Sequence, residues 1–229
     1  LPIISELYSK DEIGEMVRMY QVVAKWTVLA TAPILFGMVF FPESVITVTF
    51  GAEYFDGNLA LTVLSVGFFL PLLAGPNSNV LVSVGATRYI MYIDTATAAL
   101  NVALNVVLIP RYNFLGAAIA TAVSYLFMNL LYSAQVYRET GAHPLTWSMA
   151  IPSAVSLLFT SALYAGVSRI TTVTPAVAIL TGVVITVGHA IIVVSFGGIE
   201  QEEVMLVLSF EERFDIDLGP FKRIAKRLM

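Results

Sequence analysis

Residues 101–121 read NVALNVVLIPRYNFLGAAIAT. An apolar run carrying Asn101 and Asn105 is broken by Pro110 and Arg111, then resumes as a tract of small residues. In a helix, residues four apart share a face. The face extends back through YIMYIDTATAAL, where Asp94, Thr97, Asn101 and Asn105 fall at i, i+3, i+7 and i+11. Two membrane helices joined by a short turn accommodate this pattern. The proline closes the first, and Gly116, Ala117, Ala118, Ala120, Thr121 and Ser124 let the second pack closely against a neighbour.

Composition agrees. The chain is 58% hydrophobic and only 12% charged, with a mean hydropathy of +0.83. A soluble domain carries about 25% charged residues, so the bilayer is the expected solvent. Six stretches are long and apolar enough to span it: about 22–42, 59–85, 89–109, 115–136, 147–167 and 175–197. None alternates as barrel strands do. Backbone groups in lipid must bond within their own segment, so these are helices and the fold class is an all-α polytopic bundle. With no cysteine, disulfides and thiolate metal sites are excluded.

Lys and Arg set the orientation. If the segment before Val22 is cytoplasmic, ten of the twelve basic residues lie on that side and only Arg111 and Arg169 lie outside. Both ends of the chain are then cytoplasmic, in a cell membrane. No basic leader precedes an apolar core at Leu1, so no signal peptide is expected, and the chain reads as the C-terminal part of a longer protein.

The segment 1–20 is charged. Its face of Ile13, Met16, Val17 and Tyr20 suits a helix lying on the membrane surface, and Ser9 with Glu12 resembles a capping box. The outer loop FPESVITVTFGAEYFDGN holds three acids and no base. The tail 200–229 begins with seven acids in 200–217. It ends as FKRIAKRLM, a basic amphipathic helix at 221–229 suited to an anionic inner leaflet.

Ionisable and polar groups within spans are candidate functional residues, because lipid leaves them unpaired. For the stripe of Asp94, Thr97, Asn101 and Asn105, two readings are open: hydrogen bonding between helices, or the lining of a wet cavity. Asp94 can also pair with Arg88 across the interface. The second span carries Pro71, Gly75 and Pro76 followed by Asn77, Ser78 and Asn79, which predicts a kinked or broken helix. Such breaks either pack or line substrate sites. His189 reads as a satisfied packing histidine. Lys25 and Trp26 read as interfacial anchors, with Lys25 also in reach of a phosphate near the break. No catalytic triad, metal-ligand spacing or phosphate loop is present. Neither an enzyme, a cofactor nor a nucleic-acid partner is expected.

The order of landmarks resembles the C-terminal part of polysaccharide or oligosaccharide flippases in the MATE-like superfamily. The matching pieces are PIISELYSKDE, a span containing Pro33 that ends in FPESVI, then FGAEY, SVGATRY, and finally NVALNVVLIPRYNFLGAAIAT. The resemblance covers about residues 2–137. It implies that 21–137 form four helices of a C-terminal transporter lobe, 138–199 two additional helices, and that a missing N-terminal lobe faces them across a cavity. The implied function is translocation of a lipid-linked glycan by alternating access. Asn77, Asn79, Asn101, Asn105, Arg88 and Lys25 would then contact substrate, and Asp94 would couple an ion. Glycosyltransferases or a polymerase are the implied partners. A MATE-like drug or metabolite exporter, or a non-transporting scaffold of a glycan-assembly complex, are the alternatives.

Overall fold

The structure, a computed structural model, describes residues 2–196. These residues are all-helical. In order they form α1 (Pro2–Ser9), α2 (Ile13–Phe40), α3 (Pro42–Thr49), a 3-10 turn (Ala52–Gly57), α4 (Asn58–Leu72), α5 (Asn77–Ser83), α6 (Thr87–Thr140), α7 (Trp147–Ile170) and α8 (Pro175–Phe196). Five stretches are long and apolar enough to cross a membrane: Ile13–Phe40, Ala52–Ser83, Thr87–Thr140, Trp147–Ile170 and Pro175–Phe196. The basic end at 221–229 lies outside the described residues.

The outward faces of the helices are apolar, and most of the buried polar side chains lie on their inward faces. In α8 the buried residues are Ala178, Thr181, Ile185 and His189, one face at i, i+3, i+7 and i+11. Ile179, Leu180, Val183, Val184, Val187, Ile191 and Val194 point outward. In α7 the buried face is Met149, Pro152, Ser156 and Thr160. Lipid tails are as apolar as leucine, so helix association here comes from close packing and interhelical hydrogen bonds.

A 54-residue helix would be about 80 Å long, against a hydrocarbon core of about 30 Å. Instead, α6 doubles back at Asn113 (φ 49°, ψ −130°). Asparagine tolerates a positive φ better than most residues, which is why the break falls there and not at Pro110. Two observations establish the reversal. A Cβ on Gly116 would collide with the backbone carbonyl of Leu108. The Tyr132 hydroxyl donates to the Asp94 carboxylate, and both residues lie nineteen positions from Asn113. The first limb (87–112) therefore runs antiparallel to the second (114–140). The second limb also packs on α4, where a Cβ on Gly67 would overlap Ala122.

Helix α2 is the shared spine. Its start joins a core with Val80, Leu81, Ile93, Tyr132 and Val136, and its end joins another with Phe41, Ala178 and Ile185. The first of these corrects the expectation for the N-terminal segment. Met16 and Tyr20 are fully buried in the bundle rather than laid on the membrane surface, because α1 and α5 cover that face. The capping box is also absent: the Ser9 hydroxyl donates to the Glu6 carbonyl and Glu12 makes no side-chain cap. Part of the expected outer loop is helical, as α3 and the 3-10 turn.

Gly116→Leu should force the limbs of α6 apart and cost about 1–3 kcal/mol, seen as a lower unfolding temperature in detergent. Gly166→Ala, at a helical position with open space around it, should leave that temperature unchanged or raise it.

Candidate functional site: polar seams within the bundle

Three polar clusters lie inside the candidate spans. The first closes the broken second span. Between α4 and α5 the chain turns through Leu73–Pro76, with Gly75 at φ 71°. The Asn77 amide turns back to the Gly75 carbonyl at 2.9 Å instead of continuing a helical turn. The Ala74 carbonyl is thereby left outside the helical ladder. The Tyr20 hydroxyl reaches it from α2 at 2.5 Å and lies 2.6 Å from Asn77 Oδ1. Asn77 Nδ2 donates to Ser133 Oγ of α6 at 2.9 Å. Asn77 is 2% exposed and both its amide atoms are engaged by protein. It holds the break together. Asn79, two residues further along α5, is exposed.

The second cluster lies along α6. Asp94 is exposed and accepts a hydrogen bond from the buried Tyr132 hydroxyl. Asn105 Nδ2 donates to Asn101 Oδ1 at 2.9 Å, and both asparagines are half-buried. The Thr97 hydroxyl is buried with no hydrogen-bond partner among the described residues. The stripe thus lies on one face, as its spacing requires, but that face is not enclosed: Met91, Tyr92, Val102, Val106 and Val107 around it are exposed. Arg88 is exposed and makes no ion pair with Asp94 among the described residues, because six helical positions turn the two side chains to different faces of α6.

The third cluster joins the last two helices to α2. Pro33 lies inside α2 and has no N–H to give the Leu29 carbonyl four residues earlier. His189 of α8 supplies the missing donor, with Nε2 2.8 Å from the Leu29 oxygen. That bond places the proton on Nε2, so Nδ1 accepts from the Ser156 hydroxyl of α7 at 2.8 Å. The packing reading of His189 is the one the geometry supports.

Lys25 departs from its expected place. It is 1% exposed, with its ammonium 5.8 Å from the Trp26 ring centroid, so it does not snorkel to an interface. The reason is helix phase: Ala24, Lys25, Val28 and Leu29 all face the bundle. Outside the spans, Lys10 Nζ lies 2.6 Å from Glu6 Oε1. This exposed hydrogen bond holds the Glu6 carboxyl below its usual range. Among the described residues, no three His, Cys, Asp or Glu side chains gather where they could hold a metal.

Sequence spacing does not single out Tyr20, Tyr132, Ser133 and Ser156 as polar partners. Their bonds join residues 33 to 57 positions apart, and a tyrosine on an apolar face carries no local mark of its partner. The His189–Pro33 relation is testable as a cycle. His189→Leu should cost about 1–3 kcal/mol in detergent unfolding, because it strands the Leu29 carbonyl. In a Pro33→Ala background, which restores the backbone N–H, the same change should cost measurably less.

No protein-family model matches the chain, and no solved structure does either. Two archaeal proteins are similar over part of it. An uncharacterized membrane protein of Methanocaldococcus jannaschii is 27% identical over 127 residues, 56% of this chain and 25% of that protein. A protein of Haloferax volcanii, named a "probable low-salt glycan biosynthesis flippase", is 26% identical over 135 residues, 58% of this chain and 28% of that protein. The chain thus matches only about a quarter of the length of these relatives. It is a multi-pass membrane protein, distantly and partially homologous to an uncharacterized membrane protein and to one named a probable flippase.

Proposed function

We propose that the chain is the C-terminal part of a MATE-like transporter that turns a lipid-linked oligosaccharide across the cytoplasmic membrane by alternating access. The similarity over 135 residues to a protein named as a glycan biosynthesis flippase carries this reading. The fold supports it. With the hairpin α6 taken as two crossings, the described residues offer six segments for crossing, and the uneven spread of Lys and Arg supports a reading with both ends cytoplasmic.

The open polar face of α6 is where this reading locates the substrate. A carboxylate and two amides facing lipid would keep only part of their hydrogen-bonding capacity satisfied, so an N-terminal lobe belongs opposite them, with a wet cavity between. Asn101 and Asn105 replace water around the sugar hydroxyls. Arg88 and Asn79, both exposed, stand toward the cytoplasmic entrance, with Arg88 offering a guanidinium to a phosphate. Lys25 adds positive potential from within the bundle. Asp94, held by Tyr132, is the carboxylate available to couple transport to an ion gradient. The tail at 221–229 anchors on the anionic leaflet.

In vesicles carrying the full-length protein, Asn101→Leu with Asn105→Leu should slow glycolipid translocation by roughly tenfold, the equivalent of about 1.4 kcal/mol, with membrane insertion intact. Unchanged translocation would make the pair packing residues. Asp94→Asn should abolish dependence on an ion gradient; a surviving dependence would remove Asp94 from the coupling role.

A further inference from the structure

The broken second span has features that a static packing kink does not need. Helix α5 is only seven residues long, Asn77–Ser83. It is bounded by two glycines in the left-handed region, Gly75 at φ 71° and Gly85 at φ 78°. Glycine enters that region without the steric penalty other residues meet, so each is a ready joint. Around Gly85 there is open space, whereas a Cβ on Gly75 would press on the Tyr20 ring at 2.9 Å and on Ala24 at 3.0 Å. The far joint is free and the near one is covered by Tyr20.

The near joint is fastened by polar groups from three helices. One hydroxyl, on Tyr20 of α2, touches both sides of the break: the Ala74 carbonyl at the end of α4 and the Asn77 side chain at the start of α5. Ser133 of α6 takes the other end of the same amide. At its far end α5 is held weakly. The Ser5 hydroxyl lies 3.5 Å from the Ser83 carbonyl, and Ser83 Oγ is buried without a partner among the described residues. A seam of hydroxyl and amide groups can part without stranding a polar group wherever water or a polar headgroup reaches it. Once parted, those groups can bond to water or to a polar headgroup, which apolar surfaces cannot do.

We propose that α5 is a rod that moves between the Gly75 and Gly85 joints during transport, and that the Tyr20 hydroxyl is the latch holding it in the closed position seen here. The proposal rests on the transporter reading and names its moving part. Tyr20 acts as a positioning residue: it touches the break, and through the break sets the place of α5.

The chain has no cysteine, so single cysteines report local opening without background. In the full-length protein in liposomes, Leu81→Cys places a thiol on the buried face of α5 and Ala178→Cys places a control on α8. Tyr20→Phe keeps the ring over Gly75 and removes only the hydroxyl. It should raise the labelling rate of Cys at 81 by a membrane-permeant maleimide about three- to tenfold, the factor for one lost buried hydrogen bond, and leave Cys at 178 unchanged. An unchanged rate at 81, or an equal rise at both positions, overturns the latch. Joining Asn77→Cys to Ser133→Cys with a short thiol-reactive linker should stop glycolipid translocation, and cleaving the linker should restore it. Translocation at the unlinked rate with the linker in place overturns the role of α5 in transport. The labelling arm needs no substrate, so it tests the latch even if the flippase reading fails.

Discussion

A proline in a membrane helix leaves a carbonyl without its donor, and no water in the hydrocarbon can replace it. Much of the arrangement of this bundle follows from that constraint. Pro33 frees the Leu29 carbonyl in α2, and His189 arrives from α8 to bond it, bringing Ser156 of α7 with it. At the gap after α4 the Asn77 amide turns back to Gly75, so the Ala74 carbonyl stays outside the ladder, and Tyr20 arrives from α2 to bond that oxygen, bringing Asn77 and Ser133. At these two points a side chain from another helix completes the backbone. The same bonds that satisfy the backbone also tie α2 to its neighbours, where apolar packing in lipid supplies no hydrophobic driving force.

The two seams differ in what surrounds them, and so in what they do. The His189 seam lies in the interior of a helix that continues unbroken, beside Phe36, whose ring meets the imidazole edge-on at 6.2 Å. It fixes α7 and α8 to the spine. The Tyr20 seam lies at a true gap between α4 and α5, next to a glycine held in the left-handed region. It fastens two pieces that have their own freedom. The α6 hairpin stands apart from both. Its limbs hold each other through Gly116 against Leu108 and Tyr132 against Asp94, and its polar face remains open.

Several features are legible from residue types alone. The apolar runs, the prolines and the small-residue tract locate the helices, the broken second span and the turn between the limbs of α6, because each depends on local backbone chemistry. Helical spacing correctly puts Asp94, Thr97, Asn101 and Asn105 on one face. The same spacing cannot say what covers a face. The stripe, whose polar groups call for cover, lies open, while Met16 and Tyr20, expected on the membrane surface, are fully buried. In a membrane bundle an apolar face fits either lipid or protein, so hydropathy does not distinguish inside from outside.

The sequence by itself determined the solvent, the helical class and the break in the second span, since these follow from short-range sterics and from the cost of charge in hydrocarbon. Only the tertiary structure decided which side chain answers each interruption. Tyr20 with Ala74 and Asn77, His189 with Leu29 and Ser156, and Tyr132 with Asp94 are pairings across long stretches of chain. A hydrogen bond is specific in distance and direction, and those are set by how the helices pack rather than by any residue's neighbours in sequence.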